Sequence, residues 1–155
     1  MSMLNQREIL QLVQEGRVRI EPLDKGNVKA ASVDLLLDTT YFTFKKLDRP
    51  LTMSDYEHSG DALEKHTGKN CIELAPGDAL LCQTQEYISL PEDVSGLIIP
   101  RGRTVLRGLN LSLSTGMVKP GTKEKQLFFL VTNAGPNRVQ LKTHDKICQL
   151  VLFRL

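Results

Sequence analysis

Apolar and polar positions along this chain change period once. In LNQREILQLVQEG (Leu4 to Gly16), Ile9, Leu10, Leu12 and Val13 recur at helical spacing and make one apolar stripe. Asn5 suits an N-cap, Glu8 stands three residues on as its capping-box partner, and Gly16 follows the last turn. The pattern predicts a short helix packed on the body of the fold. After RIEPLDKGNVK the helical period stops. SVDLLLD and YFTFKKL read as strands, and LNLSLS alternates strictly, with Leu109, Leu111 and Leu113 on one face. LFFLVT, RVQLK and ICQLVLFRL follow, separated by NAGPN and THD turns, and APGD and LPED punctuate the middle of the chain. Many short strands with regular turns predict a mainly β barrel or double-sheet roll, residues 1–155 forming one domain.

Two stretches stand out from this rhythm. Residues 48–70, DRPLTMSDYEHSGDALEKHTGKN, are polar and predict a long irregular loop. LSLSTGMVKPGTKEKQLFFLVTN, from Leu111 to Asn133, reads as two apolar strands flanking a tight basic turn in which Glu124 is the only acid.

Charge sharpens the second. Residues 1–95 hold 10 Lys and Arg against 16 Asp and Glu, whereas residues 96–155 hold 10 against 2. The C-terminal part is thus basic enough to attract phosphates, or else presents a solvated face or one that meets the acidic half of a neighbouring subunit. Its aromatics, Phe128, Phe129 and Phe153, lie on apparent core strands, which argues against nucleic acid as a partner. No apolar run reaches the roughly 18 residues of a membrane span, and no basic-then-apolar leader opens the chain, which predicts a cytoplasmic protein. Cys71, Cys82 and Cys148 sit apart among apolar neighbours and read as buried free thiols.

Several chemistries lack their residues. Neither common glycine-rich phosphate cradle is present, nor a G-x-S-x-G elbow. His58, His66 and His144 form no H-x-E or H-E-x-x-H and there is no C-x-x-C, so no metal site is expected and zinc-dependent deamination is excluded. His58 and His66 read as surface residues of the loop, and His144 as part of its turn.

The order AASVDLLLD, ELAPGDALLCQTQEYISLPEDVSGLI, RGRTVLRGLNLSLSTGMVKPG, HDKICQLVLFRL resembles the dCTP deaminase and dUTPase family over nearly the whole chain, including the N-terminal helix of the deaminase branch. The resemblance implies a distorted jelly-roll β-barrel of the dUTPase-like type, a homotrimer with sites shared between subunits, and a pyrimidine deoxynucleotide as ligand. Asp34 keeps the aspartate of the S-x-D-L-x-L strand that helps shape the family's site; the other reading is an outward-facing strand aspartate. PRGRTVLRGL matches the triphosphate segment, where Arg101, Arg103 and Arg107 offer charge and bidentate donors and Thr104 a hydroxyl, or else form a solvated rim. The family's paired serines are absent. Thr115, Gly116, Met117 and Val118 match the backbone that reads the pyrimidine edge.

Departures fall on the chemistry. The family's aspartate before Pro-Gly is replaced by Lys119, and the glutamate of the next strand by Leu130. Both family reactions need a carboxylate to make water nucleophilic, and neither an ammonium nor a leucine can accept its proton. The closing tail of the family also has no counterpart after LFRL. The resemblance therefore implies a catalytically impaired relative that binds nucleotide or regulates a partner, with no certain cofactor. An active deaminase or dUTP diphosphatase, with Mg²⁺, would need a carboxylate from Glu124, Asp34 or Asp145. A purely structural oligomer is the third reading.

Overall fold

The computed structural model describes residues 1–113 and 116–155, and of Leu113 the backbone alone. The elements are, in order, β1 (Ser2–Met3), α1 (Gln6–Gln14), β2 (Arg19–Glu21), β3 (Val33–Phe44), β4 (Leu63–His66), β5 (Cys71–Leu74), β6 (Ala79–Thr84) and β7 (Tyr87–Ser89), then β8 (Val94–Pro100), α2 (Gly102–Val105), β9 (Leu109–Leu113), β10 (Met117–Val118), β11 (Phe128–Asn133), β12 (Val139–Lys142) and β13 (Lys146–Arg154). The architecture is a curled, mainly β roll with one short N-terminal helix, as the strand pattern predicts.

Helix α1 has the expected cap. The Asn5 side chain accepts from the Glu8 amide at 3.1 Å, and the Glu8 carboxylate accepts from the Asn5 amide at 3.0 Å. Gly16 takes φ 69° just past the helix, a left-handed turn that glycine makes without strain. Ile9 and Leu12 are buried, and Leu10 and Val13 pack at the core's margin. Burying a side chain of that size contributes roughly 1.5–3 kcal/mol, which anchors a helix too short to stand alone.

Strand β3 joins the two halves of the roll. Val33 to Leu36 pair with β13, whereas Leu37 and Tyr41 to Thr43 pair with β6, with an irregularity between Leu37 and Tyr41. SVDLLLD and YFTFKKL are thus one bent strand rather than two. The main sheet runs β10-β8-β13-β3-β6-β11-β9, with β1 on β13 and β4 on β3, while β12 pairs with β5 and β2 with β7. Inward residues Val33, Leu35, Leu37, Cys82, Phe129, Val131, Leu150 and Leu152 are at most marginally exposed and form the core.

Other expectations are revised. The 48–70 stretch is not wholly irregular, because Leu63 to His66 form β4 and pair with Phe44 to Tyr41 of β3. His66 stacks on Tyr41 at 4.9 Å between centroids and lies 2.8 Å from Thr43 Oγ1, so it is built into that edge. Cys82 and Cys148 are buried as expected, but Cys71 is exposed, on the outward phase of β5. Phe128 is also partly solvent-facing rather than core.

Candidate functional site: a basic pocket and a lysine-bearing hairpin

Strand β8 ends at Pro100, and the chain turns into the single helical turn α2. Thr104 is buried there and donates its hydroxyl to the Ile147 carbonyl at 3.1 Å, stitching α2 to β13. This places Arg101, Arg103 and Arg107 around one open pocket of about 350 Å³. His144, Asp145 and Lys146 close the opposite wall, and Leu109 lines its apolar side. The expected arginines are therefore brought together, whereas the Thr104 proton is committed to the backbone. Lys146 and His144 join the wall unforeseen, because only the β12–β13 turn carries them across. Arg107 donates Nη1 to the Arg103 carbonyl at 2.8 Å, holding its guanidinium along the rim. Asp145, whose carboxylate accepts from the Lys142 amide at 2.8 Å, is outnumbered on this pocket by Arg101, Arg103, Arg107 and Lys146.

Asp34 lies behind this wall. It is 1% exposed, which overturns the outward-facing reading. Arg101 Nη1 stands 2.8 Å from its Oδ2, Lys146 Nζ 3.6 Å and Lys29 Nζ 3.9 Å. Gln149 donates to Oδ1 at 3.0 Å. The Arg101 contact is close yet out of line: among the described residues neither Arg101 Nη1 nor Asp34 Oδ2 makes an aligned hydrogen bond. It is an ion contact, not a fork.

The second concavity, of about 530 Å³, lies on the Leu111–Asn133 segment. This is not a tight hairpin. β9 pairs directly with β11, with Leu130 opposite Ser112, while the connection between them sends β10 to pair with β8. Thr122 donates both its amide and its hydroxyl to the Lys119 carbonyl, at 3.3 and 2.7 Å, closing a turn on Pro120 and Gly121. Gly121 has φ 72°, the setting for proline then glycine at the centre of a type II turn. The connection is pinned to β7 and its exit: Leu90 donates to the Thr122 carbonyl, and Ser89 Oγ accepts from the Glu124 amide at 2.9 Å.

Met117, Val118, Lys119, Glu124, Gln126 and Phe128 line this concavity. Val118 is buried, and Gly116, Met117 and Lys119 are exposed. Thr115 lies outside the described residues. Leu130 is half-buried on the outer sheet face, facing Leu81 on one side and Ser112 on the other. Glu124 has φ 43°, its side chain is 74% exposed, and it stands 3.8 Å from Arg19. It shares the pocket with Lys119 but is turned to solvent. The two concavities share no lining residue within one chain.

Magnesium does not fit either pocket as a protein-held ion. Among the described residues no group of three or more His, Cys, Asp or Glu converges, and the carboxylates beside the basic pocket are engaged by cations or by backbone. This ion takes six oxygen ligands, usually one or two carboxylates with waters and substrate phosphates.

Sequence reasoning also passed over Glu86. It is 2% exposed, both its oxygens approach the Leu36 amide at 3.1 and 3.0 Å, and burial pushes its pKa up to about 7. A glutamate at the end of the polar stretch QTQE gives no outward sign of this. The buried Cys148 thiol is likewise pushed well up, by burial first and then by the charges of Glu86 and Asp34.

No helix among the described residues is long and apolar enough to cross a membrane. Residues 3–155 match the family model described as dCTP deaminase-like. A dUMP-forming dCTP deaminase of Methanobrevibacter smithii is 29% identical over 156 residues, covering 97% of this chain and 79% of the relative. One from Parafrankia sp. is 30% identical over 161 residues, covering 99% and 76%. Among solved structures, the 2'-deoxycytidine 5'-triphosphate deaminase of Agrobacterium tumefaciens superposes with a TM-score of 0.77 at 17% identity, covering 97% of this chain and 47% of that one, about half its length. The dUTPase of Staphylococcus aureus phage phi11 gives 0.54 at 15% identity, covering 89% and 90%. These two likenesses speak to the fold alone. With a bent β3, a basic pocket after β8 and a family model matched almost from end to end, this chain belongs to the dCTP deaminase-like family.

Proposed function

We propose that this chain, acting as one domain over residues 1–155, is a catalytically impaired dCTP deaminase-like protein that binds a pyrimidine deoxynucleoside triphosphate. Its role is then to sense the nucleotide or regulate a partner rather than to supply dUMP. The observation that carries this reading is the pair Lys119 and Leu130. Lys119 is an exposed ammonium on the wall of the hairpin pocket, and Leu130 sits between Leu81 and Ser112. Attack on C4 of cytosine or on the α-phosphorus needs a water whose proton is taken by a carboxylate. A positioned general base or acid contributes roughly 10²–10⁴-fold, so two losses leave little turnover. Binding survives these losses, because the phosphates are met by Arg101, Arg103, Arg107 and Lys146, and the base by the backbone around Gly116 to Val118.

The two pockets share no residue within a chain, which favours a homotrimer whose subunits contribute one pocket each to a common site. A second reading, an active dCTP deaminase or dUTP diphosphatase, draws on Glu124, which lines the same concavity as Lys119. Calorimetry with dCTP and dUTP, alongside product analysis with Mg²⁺ present, separates them. The expected result is binding without product. Turnover that Glu124→Gln abolishes establishes the second reading instead.

A further inference from the structure

We infer that Asp34 is the positioning residue of the basic pocket: a buried carboxylate that aims Arg101 and Lys146 at a bound polyphosphate without touching it. This deepens the reading above and rests on it. Three elements converge on Asp34. Arg101 comes from the end of β8, Lys146 and Gln149 from β13, and Lys29 from the turn before β3, where its Nζ also donates to the Gly26 carbonyl at 2.6 Å. Strand β13 lies between β3 and β8, with Gln149 paired to Asp34 on one side and to Ile99 on the other. The sheet register therefore sets the distance between carboxylate and guanidinium.

The charge count shows what this arrangement does. Among the described residues one buried carboxylate is faced by three cations, so it cannot neutralise them, and around the pocket Arg101, Arg103, Arg107 and Lys146 outnumber Asp34 and Asp145 together. Asp34 is 1% exposed, and a buried anion is tolerated only where cations and donors surround it. The converse also holds: the Arg101 side chain is only 22% exposed, and without its counter-ion a guanidinium so placed would turn outward to water.

The contact between them has a useful flaw. Arg101 Nη1 lies 2.8 Å from Asp34 Oδ2 but makes no aligned hydrogen bond among the described residues. Charge holds the guanidinium with its Nη1 edge buried against Asp34, and no hydrogen bond among the described residues uses the N–H groups of the other edge, which is the one left to the pocket. An anion arriving in the pocket finds a donor set already oriented, which lowers the ordering cost of binding.

The test uses the full chain and inorganic tripolyphosphate in calorimetric titrations, with Asp34→Asn, Arg101→Gln and the double variant. Positioning predicts that Asp34→Asn weakens tripolyphosphate binding by about 10-fold and that the same change weakens it much less in the Arg101→Gln background, where only Lys146 is left to be aimed. The sign is decisive, because deleting a negative charge beside a cationic pocket would by charge alone tighten anion binding. Unchanged or tighter binding by Asp34→Asn overturns the inference. So does a loss that persists undiminished in the Arg101→Gln background, which would mean that Asp34 acts on the ligand itself or on the fold at large. Should Asp34→Asn fail to fold, Gln149→Met frees Oδ1 and leaves the charge. It is expected to weaken binding by about 3-fold, and by less in the Arg101→Gln background. A wild-type protein that binds neither tripolyphosphate nor dCTP removes the nucleotide reading and this inference together. Wild-type binding that ignores Asp34 and Gln149 removes this inference alone.

Discussion

At Glu86 the fold holds a carboxyl with almost no compensation. Burial raises its pKa to about 7, the nearby charge of Asp38 adds to the rise, and the Leu36 amide works against it. The folded value lies above the ordinary 4.5, so the folded protein holds this proton more tightly than the unfolded chain. The stability it brings is complete below the unfolded value and is lost as pH rises through about 7. A shift of this size corresponds to about 3 kcal/mol. Urea midpoints should therefore fall between pH 5 and pH 8, and Glu86→Gln should flatten that profile. An equally steep fall in the variant would place the titration elsewhere. Lys119→Asp combined with Leu130→Glu should raise dCTP turnover above wild type by roughly 10²-fold or more, followed as uracil nucleotide formed. Equal turnover in a variant that still binds nucleotide would show that the defect lies outside these two positions.

The Pro-Gly turn and the strands around it test the same logic for whole elements. Gly121 has φ 72°, and a Cβ there would run into the Glu92 carboxylate. Gly121→Ala should cost about 1–2 kcal/mol and shift the turn that carries Lys119, visible as a lower urea midpoint. A midpoint equal to wild type would mean that the turn is free to relax. Elements such as this turn and α1 are legible in the sequence because their determinants are local: a cap, its partner three residues on, a glycine where φ is positive. The same holds for the alternation of Leu109 and Leu111. Pairing partners are not local, and there the sequence is mute. Nothing in LEKH announces a strand, since β4 is made by hydrogen bonding to β3 rather than by its own pattern. Nothing in STGMVKPG says that Met117 and Val118 cross to β8. Read locally, the bend in β3 looks like a break, because its two halves pair with different neighbours. The arginines after Pro100 stood out as a group, but Lys29, Lys146 and Gln149 are separated from them by tens of residues, and only the β8-β13-β3 order unites them at Asp34.

For the whole molecule, the separation of the two pockets leads to a stricter expectation than binding alone. The cations proposed to meet phosphates are Arg101, Arg103, Arg107 and Lys146, whereas the backbone proposed to face a base lies on the β9–β11 connection. If a common site is assembled in a closed trimer, each subunit lends its basic pocket to one neighbour and its hairpin to the other. A subunit with Arg101→Gln then spoils only the phosphate side of one site, and a subunit with Met117→Trp, which fills the hairpin pocket, only the base side of another. Each variant alone should bind dCTP poorly, because every site in its trimer carries the same defect. Trimers formed by co-expressing the two in equal amounts should recover about a quarter of the wild-type sites, those where an intact basic pocket meets an intact hairpin. Calorimetric stoichiometry of the mixed trimers, compared with a mixture made after folding, measures this directly. If the co-expressed protein binds no more dCTP than either parent, each chain holds its own nucleotide, and the division of the site between subunits is wrong.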